Sequence, residues 1–547
     1  MNKPIYQSGN QSIIQNSTYK FHGGVHPAQH KSISNNTISK TLSPSNVFVI
    51  PIQQSSIQIN DIEDKVIVKK NQSVIYGEAL TVFTEEDVYV PIHSPCNGIV
   101  KNIEHRYCGH PSGNKEVVII IEASQDFDYK ISSKNNSDWI NQSTQSLLGI
   151  IQKSGIVGLG GAMFPTHIKQ ASQLKKKNKK IPTLIVNAME CEPYITCDDR
   201  LIREESINVI LGALITAKIT ACEKIIFAIE DNKKEAILAL ENSIKSFPPS
   251  ELNTTLSILI TPTIYPSGSE KQLIKLVTGL EISKTQLPKD IDLVIQNVAT
   301  LYSIYQAIEK NKNLTERLIT ITGDLVKQPA NYWIPFGTPI SNIADSLEID
   351  INKLDHVIMG GPMMGEKYTD LSIPVSKKTN CLIFNQSVKL EETKDCIRCG
   401  ECNIVCPMNL LPQQLYWYAQ TEQWDAIEEY QLTSCIDCGA CDFVCPSNIP
   451  LVDYFKYAKS EIKYSAKKES KSLIAKQRFD SREQRLERIK VERKNKQKKK
   501  AEDRKKATEN KAIDPDGKKS AILAALNRVK KKTAVDEKDA KKEPKHE

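Results

Sequence analysis

The chain has 547 residues, 40% hydrophobic and 25% charged, with a formal net charge of +8. The length allows about three to five domains of ~100–200 residues each. The basic excess is not spread along the chain: from Tyr464 onward there are 29 Lys+Arg against 15 Asp+Glu, whereas the first 463 residues hold 44 against 50. A mildly acidic body with a basic tail argues against nucleic acid as the body's partner.

Residues 1–46 are rich in Ser, Asn, Gln and Thr and predict an irregular segment. The exception is FHGGVHPAQHK from Phe21, whose paired glycines and proline require a defined turn. No apolar stretch of a secretory signal stands at the N-terminus. The most apolar long window, 207–229, is interrupted by Lys218, Glu223 and Lys224, whereas a membrane span needs about 20 nearly uncharged residues. It reads as a core helix and a strand, and the expected location is the cytosol or the cytosolic face of a membrane.

Residues 47–130 predict β structure, with short β-branched runs broken by Gly, Asn and Pro. The phrasing resembles a barrel-sandwich module of the biotinyl/lipoyl-carrier type. A carrier needs a lysine at its hairpin tip; the corresponding stretch here is HSPCNGIV, which excludes the carrier role.

Residues 131–315 alternate strand and helix. PTLIVNA, KIIFAIE and LSILITPT read as buried strands, and ESINVILGALITAKIT and EAILALENSIKSF as helices. This is the pattern of an α/β layer with a mostly parallel sheet. Ahead of the first strand lies GIVGLGGAMFPTHIKQ. Glycines before a helix let backbone N–H groups approach a phosphate, though the spacing is not the dinucleotide fingerprint, since Met163 stands at its last glycine. Residues 316–388 predict β-hairpins, a short helix and, at HVIMGGPMMGE, a strand entering a glycine turn.

Residues 389–462 contain CIRCGECNIVCP and CIDCGACDFVCP, each C-x2-C-x2-C-x3-C-P. This is the ligand spacing of two-cluster ferredoxins. Iron in a cubane wants thiolate sulfur. The x2 spacings wrap three cysteines around one cube, and the fourth, carried off by the helix expected after it, serves the other cube. One [4Fe–4S] cluster then takes Cys396, Cys399, Cys402 and Cys445, and the second takes Cys435, Cys438, Cys441 and Cys406. Gly400 and Gly439 allow the backbone to turn close to each cluster. Structural zinc is the rival, but it pairs two hooks across a longer gap. Two helices are expected between the runs, packed through Leu411, Leu415, Trp424, Ile427 and Tyr430. Cys96, Cys108, Cys191, Cys197, Cys222 and Cys381 are read as ordinary small core residues. Residues 463–547 predict a Lys-rich tail, helical or disordered. Its default reading is a solvated spacer, with an anionic-lipid patch and nucleic-acid binding as alternatives.

The order of motifs is informative as a set. The glycine loop with FPT is followed by NAMECEP, YPSGSE and NVAT. This resembles the flavoprotein subunit of respiratory complex I. With FHGGVHPAQHK before it and two ferredoxin runs after it, the chain resembles the RnfC subunit of the Rnf/Rsx electron-transport complexes over residues 20–460. The resemblance implies an α/β multidomain fold: a barrel-sandwich module, an FMN/NADH-binding α/β domain, a β-grasp module and a helical two-cluster domain. It implies two [4Fe–4S] clusters, non-covalent FMN, and NADH as substrate. Gly158, Gly160, Gly161 and Lys169 would hold the FMN phosphate and the isoalloxazine edge. Asn187 and Glu190 would line the flavin pocket, Glu192 would sit where the nicotinamide nucleotide docks, and Phe164 would stack nearby. Tyr265, Gly268, Glu270 and Asn297 would complete the walls. No acid–base triad is required, because the cofactors carry the chemistry.

Two departures from the related patterns stand out: Met163 where the loop usually has glycine, and Met189 where the complex I subunit has an acidic residue. The implied partners are integral-membrane and iron–sulfur subunits of the complex, with ferredoxin or a redox regulator as eventual acceptor. The implied place is the cytoplasmic side of the bacterial inner membrane, in a complex coupling electron transfer to ion translocation. An iron–sulfur adaptor without flavin and a soluble NADH-dependent reductase stand as alternatives.

Overall fold

The computed structural model describes residues 13–43, 45–54, 62–84, 88–109, 113, 115–124, 137–174, 182–246, 254–283, 285–386, 392–509 and 520–530. The chain forms two compact units, Met1–Lys459 and Ser460–Glu547. Fifteen strands of the first unit form three sheets among the described residues.

The N-terminal segment is less irregular than its composition predicts. Its strands β1 (Ile13–Asn16) and β2 (Lys40–Thr41) each join a sheet built by later residues. Open sheet edges offer unpaired N–H and C=O groups, and that decides a conformation which a polar composition cannot. Residues 1–12 lie outside the described residues.

The first sheet is antiparallel, in the order β3 (Val47–Pro51), β6 (Lys115–Ala123), β5 (Gly98–Tyr107) and β4 (Ser73–Val74). The β-branched run of β6 suits a half-buried pleated surface, and Phe48, Ile50, Val100, Ile119 and Ile121 form its core. Cys96 is fully buried in that core, at the turn where a carrier would present a lysine.

The second sheet is wholly parallel. Its order is β1, β9 (Thr255–Thr261), β8 (Lys224–Glu230), β7 (Thr183–Ala188) and β10 (Leu293–Asn297). Helices flank it: α1 (Thr144–Lys153), α2 (Thr166–Leu174), α3 (Cys197–Thr220), α4 (Lys234–Ser246), α5 (Glu270–Thr278) and α6 (Val298–Glu309). Strands covered on both faces read as continuous apolar runs, as TLIV, KIIFAI and LVI do. The chain leaves β7 to one side through β8 and reaches its other side through β10. A crevice therefore opens at the carboxyl ends of β7 and β10, where such sheets bind ligands. The register sets Asn187 beside Asn297 at that end.

The third sheet runs β14 (Glu366–Tyr368), β13 (Leu354–Met359), β15 (Cys381–Gln386), β11 (Glu316–Thr322), β12 (Ala330–Pro335) and β2, with α7 (Ile340–Ser346) packed beside it. One continuous core joins it to the parallel sheet through residues such as Leu184, Ile210, Leu301, Ile319 and Phe384.

The cluster region holds α8 (Glu401–Ile404), α9 (Pro412–Gln420), α10 (Trp424–Glu429), α11 (Ala440–Phe443) and the start of α12 (Leu451–Glu509). Leu415 and Ile427 are fully buried as expected, but Leu411 is 46% and Tyr430 37% exposed. Pro412 opens α9, so Leu411 stands before the helix and off its packed face. From Lys463 to Glu509 the chain is helical and every described side chain is exposed; the tail at 510–519 and 531–547 lies outside the described residues. Among the described residues no helix is long and apolar enough to cross a membrane.

The local pattern puts the start of the long helix near Glu205, yet α3 starts at Cys197. The Glu190 carboxylate accepts the orphan N–H groups of Asp198 and Asp199 at 2.6 and 3.2 Å. Glu205 has non-helical angles (φ −129°, ψ 25°) and marks a kink rather than a start. Further along, a Cβ on Gly212 would lie 1.9 Å from the Leu301 carbonyl oxygen of α6. The two helices cross here with no room for a side chain. Gly212→Ala should therefore cost about 1–3 kcal/mol, read as a lower thermal midpoint with both cluster runs intact.

Candidate functional site

All twelve residues singled out around the glycine loop line one cavity of about 660 Å3 at the β7/β10 crevice: Gly158, Gly160, Gly161, Phe164, Lys169, Asn187, Glu190, Glu192, Tyr265, Gly268, Glu270 and Asn297. The glycine loop is pinched at its neck, where Gly158 N–H donates to the Phe164 carbonyl (2.9 Å) and Met163 N–H to the Gly158 carbonyl (3.0 Å). Leu159 N–H donates to Thr300 Oγ1 at 2.9 Å, seating the loop on the first turn of α6. Met163 has φ 48°, the left-handed region that favours glycine. Its half-buried side chain packs against the main core and does not line the cavity.

Several of the expected ligands have structural partners of their own. Lys169 pairs with Glu270 at 3.2 Å. Asn297 Oδ1 caps α6 by accepting from Ala299 and Thr300, while its Nδ2 donates to Asp198 Oδ2 at 2.6 Å. Asn187 Nδ2 donates to the Gly268 carbonyl at 2.9 Å. Glu192 Oε1 accepts from the N–H groups of Met363 and Met364 at 2.7 and 2.9 Å. That bond draws the glycine turn after β13 onto the cavity, where Gly360, Gly361, Met364 and Gly365 add to the wall.

Charged residues that were not singled out from the sequence also shape the site, Asp198, Arg317 and Lys31 among them. Asp198 and Arg317 line the cavity; an arginine opening the apolar strand RLITIT is a signal that could have been read. Lys31, the last residue of FHGGVHPAQHK, is the third. It is buried, and its Nζ donates to the carbonyls of Glu190 (2.7 Å), Glu192 (2.9 Å) and Ile195 (2.6 Å). Burial pushes the Lys31 ammonium down, with Lys233 adding repulsion, and pushes Glu190 up to about 8, against the attraction of Lys31. Burial likewise raises Asp198, opposed by Arg317 and Asn297.

The cysteines fall into two hollows. Cys406, Cys435, Cys438 and Cys441 line one, within a sleeve of Met408, Leu410, Leu415, Val452 and Phe455. Cys396, Cys399, Cys402 and Cys445 line the other. The fourth cysteine of each run is set apart by the single helical turn before it, α8 or α11, and not by the helix expected after it. Cys406, Cys438 and Cys441 are buried, whereas Cys399 is exposed. Burial pushes the Cys435 thiol to about 12 and Cys438 to about 11, so four adjacent thiolates here would need a cation to hold them, the part that iron would play. Lys459 Nζ adds a fixed charge, donating to the Cys435 carbonyl and Asp437 Oδ1, both at 2.7 Å.

The inner hollow abuts the large cavity, since Ile436 and Cys438 line that cavity too. A Cβ on Gly439, whose φ is 75°, would lie 2.4 Å from the Met363 carbonyl oxygen. Gln272 Nε2 of α5 donates to the Pro407 carbonyl at 3.1 Å, and Gly24 N–H to the Val405 carbonyl at 2.9 Å.

These cavities fit the groups that the motifs imply. The large one has a rim of three glycines, Gly158, Gly160 and Gly161, with no side chain to keep an anionic group from its backbone, and Gln296, whose buried Nε2 has no partner among the described residues, is part of its wall. The hollows present four sulfurs each. Residues 151–306 match the Nuo51 FMN-binding domain, 19–125 the RnfC barrel sandwich hybrid domain and 395–449 the 4Fe-4S dicluster domain. The fold and site thus define a protein with an FMN-binding domain and a two-cluster iron–sulfur domain.

The chain is 40% identical over 528 residues to the RnfC subunit of an ion-translocating oxidoreductase complex of Vibrio cholerae (strain Classical Ogawa 395), covering 96% of this chain and 66% of the relative. It is 38% identical over 473 residues to that of Haemophilus influenzae (strain PittEE), covering 86% and 70%. The relative from Klebsiella pneumoniae (strain 342) is 38% identical over 518 residues, covering 94% and 65%. The chain belongs to the RnfC family of ion-translocating oxidoreductase complex subunits, and it spans 65–66% of the length of the Vibrio relatives.

Two outcomes follow. Burial raises the folded Glu190 carboxyl above its ordinary value of 4.5, toward about 8, so it takes up a proton at higher pH than the unfolded residue does. The fold then binds the extra proton in between, and this contribution to stability is lost as pH rises from ~4.5 through ~8. Glu190→Gln should flatten that part of a thermal-midpoint pH profile. Lys31→Met takes the donor from the carbonyls of Glu192 and Ile195 and leaves that of Glu190 with Lys233 Nζ at 3.5 Å, at about 1–3 kcal/mol for each unsatisfied group. FMN retained after desalting should fall while the iron content stays near eight per chain, as two [4Fe–4S] clusters require.

Proposed function

We propose that this chain is the electron-entry subunit of a membrane-associated ion-translocating oxidoreductase complex, oxidising NADH and passing single electrons to a partner subunit. The observation that carries the reading is the shared wall: Cys438 and Ile436 belong both to the inner cysteine hollow and to the cavity of the glycine loop. Bound FMN supplies the conversion of a two-electron hydride into single-electron transfers, and each [4Fe–4S] cluster carries one electron at a time.

Gly158, Gly160, Gly161 and Lys169 hold the flavin phosphate end, with backbone N–H groups and a cation facing an anion. Asn187, Glu190, Gly268 and Asn297 form the walls around the ring. Glu192, Phe164, Tyr265 and Glu270 shape the side where the nicotinamide nucleotide enters. Met189, at the position of the acidic residue in the complex I subunit, is fully buried and accepts from Thr261 Oγ1 at 3.2 Å, so it acts through packing rather than on the nucleotide.

Cys435, Cys438, Cys441 and Cys406 would hold the inner cluster, on the side of the cavity from which single electrons would come. The cluster of Cys396, Cys399, Cys402 and Cys445 is outer, and exposed Cys399 beside Ile397 (68% exposed) supports an exit to an iron–sulfur partner. The third sheet is read as the β-grasp module, spanning 316–388 between an FMN/NADH domain of 131–315 and a cluster domain of 389–462, with the barrel sandwich at 47–130. The place is the cytoplasmic side of the bacterial inner membrane, docked on integral subunits, with ferredoxin or a redox regulator as final acceptor.

The test is a visible spectrum of the anaerobic protein before and after NADH. Flavin and iron–sulfur absorbance should both bleach, and iron–sulfur absorbance unchanged by NADH would overturn the entry role. Cys399→Ser should leave NADH-driven bleaching of flavin and inner cluster, whereas Cys438→Ser should cut the outer cluster off from NADH. If the outer cluster still bleaches as fast in Cys438→Ser, the order is wrong.

A further inference from the structure

Tyr265 stands between the two redox compartments. It is 1% exposed, yet its ring lines the large cavity. Its hydroxyl donates to the backbone carbonyl of Cys438 at 2.6 Å, the cysteine common to the cavity and the inner hollow. Its backbone is pinned on both sides by Val25, with Val25 N–H donating to the Tyr265 carbonyl at 2.8 Å and Tyr265 N–H to the Val25 carbonyl at 2.9 Å. The ring therefore has one fixed place, and the hydroxyl proton is directed at the Cys438 carbonyl.

We propose that Tyr265 is a positioning residue that tunes the inner cluster, its hydroxyl dipole raising the cluster's reduction potential by compensating the Cys438 carbonyl. The inference rests on the flavin and cluster reading above. Reduction of a cluster adds one negative charge, and hydrogen bonds near its ligands set how readily that charge is accepted. With the Tyr265 proton on the Cys438 carbonyl, the negative end of that carbonyl is offset and the reduced state is favoured. Without that hydroxyl the offset is lost.

The experiment is an EPR-monitored redox titration of the full chain with both clusters loaded, the two signals assigned from the Cys438→Ser and Cys399→Ser variants. Tyr265→Phe keeps the ring and removes the hydroxyl. The inner cluster should become harder to reduce by three- to tenfold in equilibrium constant, the upper figure being ~59 mV for a one-electron couple, while the outer cluster is unmoved. A purely structural role would lower the thermal midpoint without selecting one cluster. Titration curves identical to the parent's overturn the proposal. If Tyr265→Phe fails to hold its inner cluster, replacement of Tyr265 by 3-fluorotyrosine, a stronger hydrogen-bond donor of the same shape, carries the test: the inner cluster should become easier to reduce, and no change overturns the proposal. The flavin content of the parent protein is measured alongside. A shifted inner cluster in a chain that holds no FMN would sink the flavin reading and leave the Tyr265 inference standing.

Discussion

A single buried ammonium organises the site. Lys31 reaches in from the N-terminal segment and is surrounded by the carbonyls of Glu190, Glu192 and Ile195, as a cation is held by a ring of oxygens. A loop gathered this way turns its carbonyls inward and its side chains outward, each to a different element. The Glu190 carboxylate goes to the N-terminus of α3, the Glu192 carboxylate to the turn after β13, and the Cys191 sulfur accepts the Gly268 N–H at 3.2 Å. Four parts of the fold are fixed to one another by a stretch of six residues. A buried lysine is costly by itself, and the three acceptors offset that cost.

The parallel sheet sets where that loop must lie. Its strands are joined so that β7 has one neighbour on each hand arriving by opposite routes, which leaves the crevice where Asn187 and Asn297 stand side by side. The glycine loop closes one side through Leu159 and Thr300, and the third sheet closes another through Arg317 and the Met359–Gly365 stretch. The cavity is a meeting place of modules, as ligand sites commonly are, and no single module contains it.

The cysteine hollows show how burial and function are graded. The inner set is sheathed by apolar side chains and abuts the cavity, and the outer set is open to solvent at Cys399. Both runs have the same spacing, so the asymmetry comes from what surrounds them. Tyr265, Gln272, Gly24 and Met363 all hold the inner loops against the α/β region, which places one cluster next to the electron donor and leaves the other free to face an acceptor.

The sequence by itself determined a good deal. Thiolate spacing dictates the chemistry of the cysteine runs, because three ligands two residues apart can only wrap one small cube. The alternation of apolar strands and helices dictates a parallel sheet, and the set of motifs picked out twelve residues that prove to line one cavity. What stayed hidden depends on groups far apart in the chain. Lys31 looks like any surface lysine until the loop 159 residues later folds over it. The start of α3 at Cys197 depends on a carboxylate that a reading of local helix propensity does not count as a cap, and β1 forms only because β9 offers it an open edge. Arg317 and Asp198 carry charge into a cavity whose existence no local pattern states. Spacing and periodicity report what neighbouring residues do together. Which buried charge meets which carbonyl is decided only when the modules pack, because that is the step that removes them from water and makes each polar group find a partner.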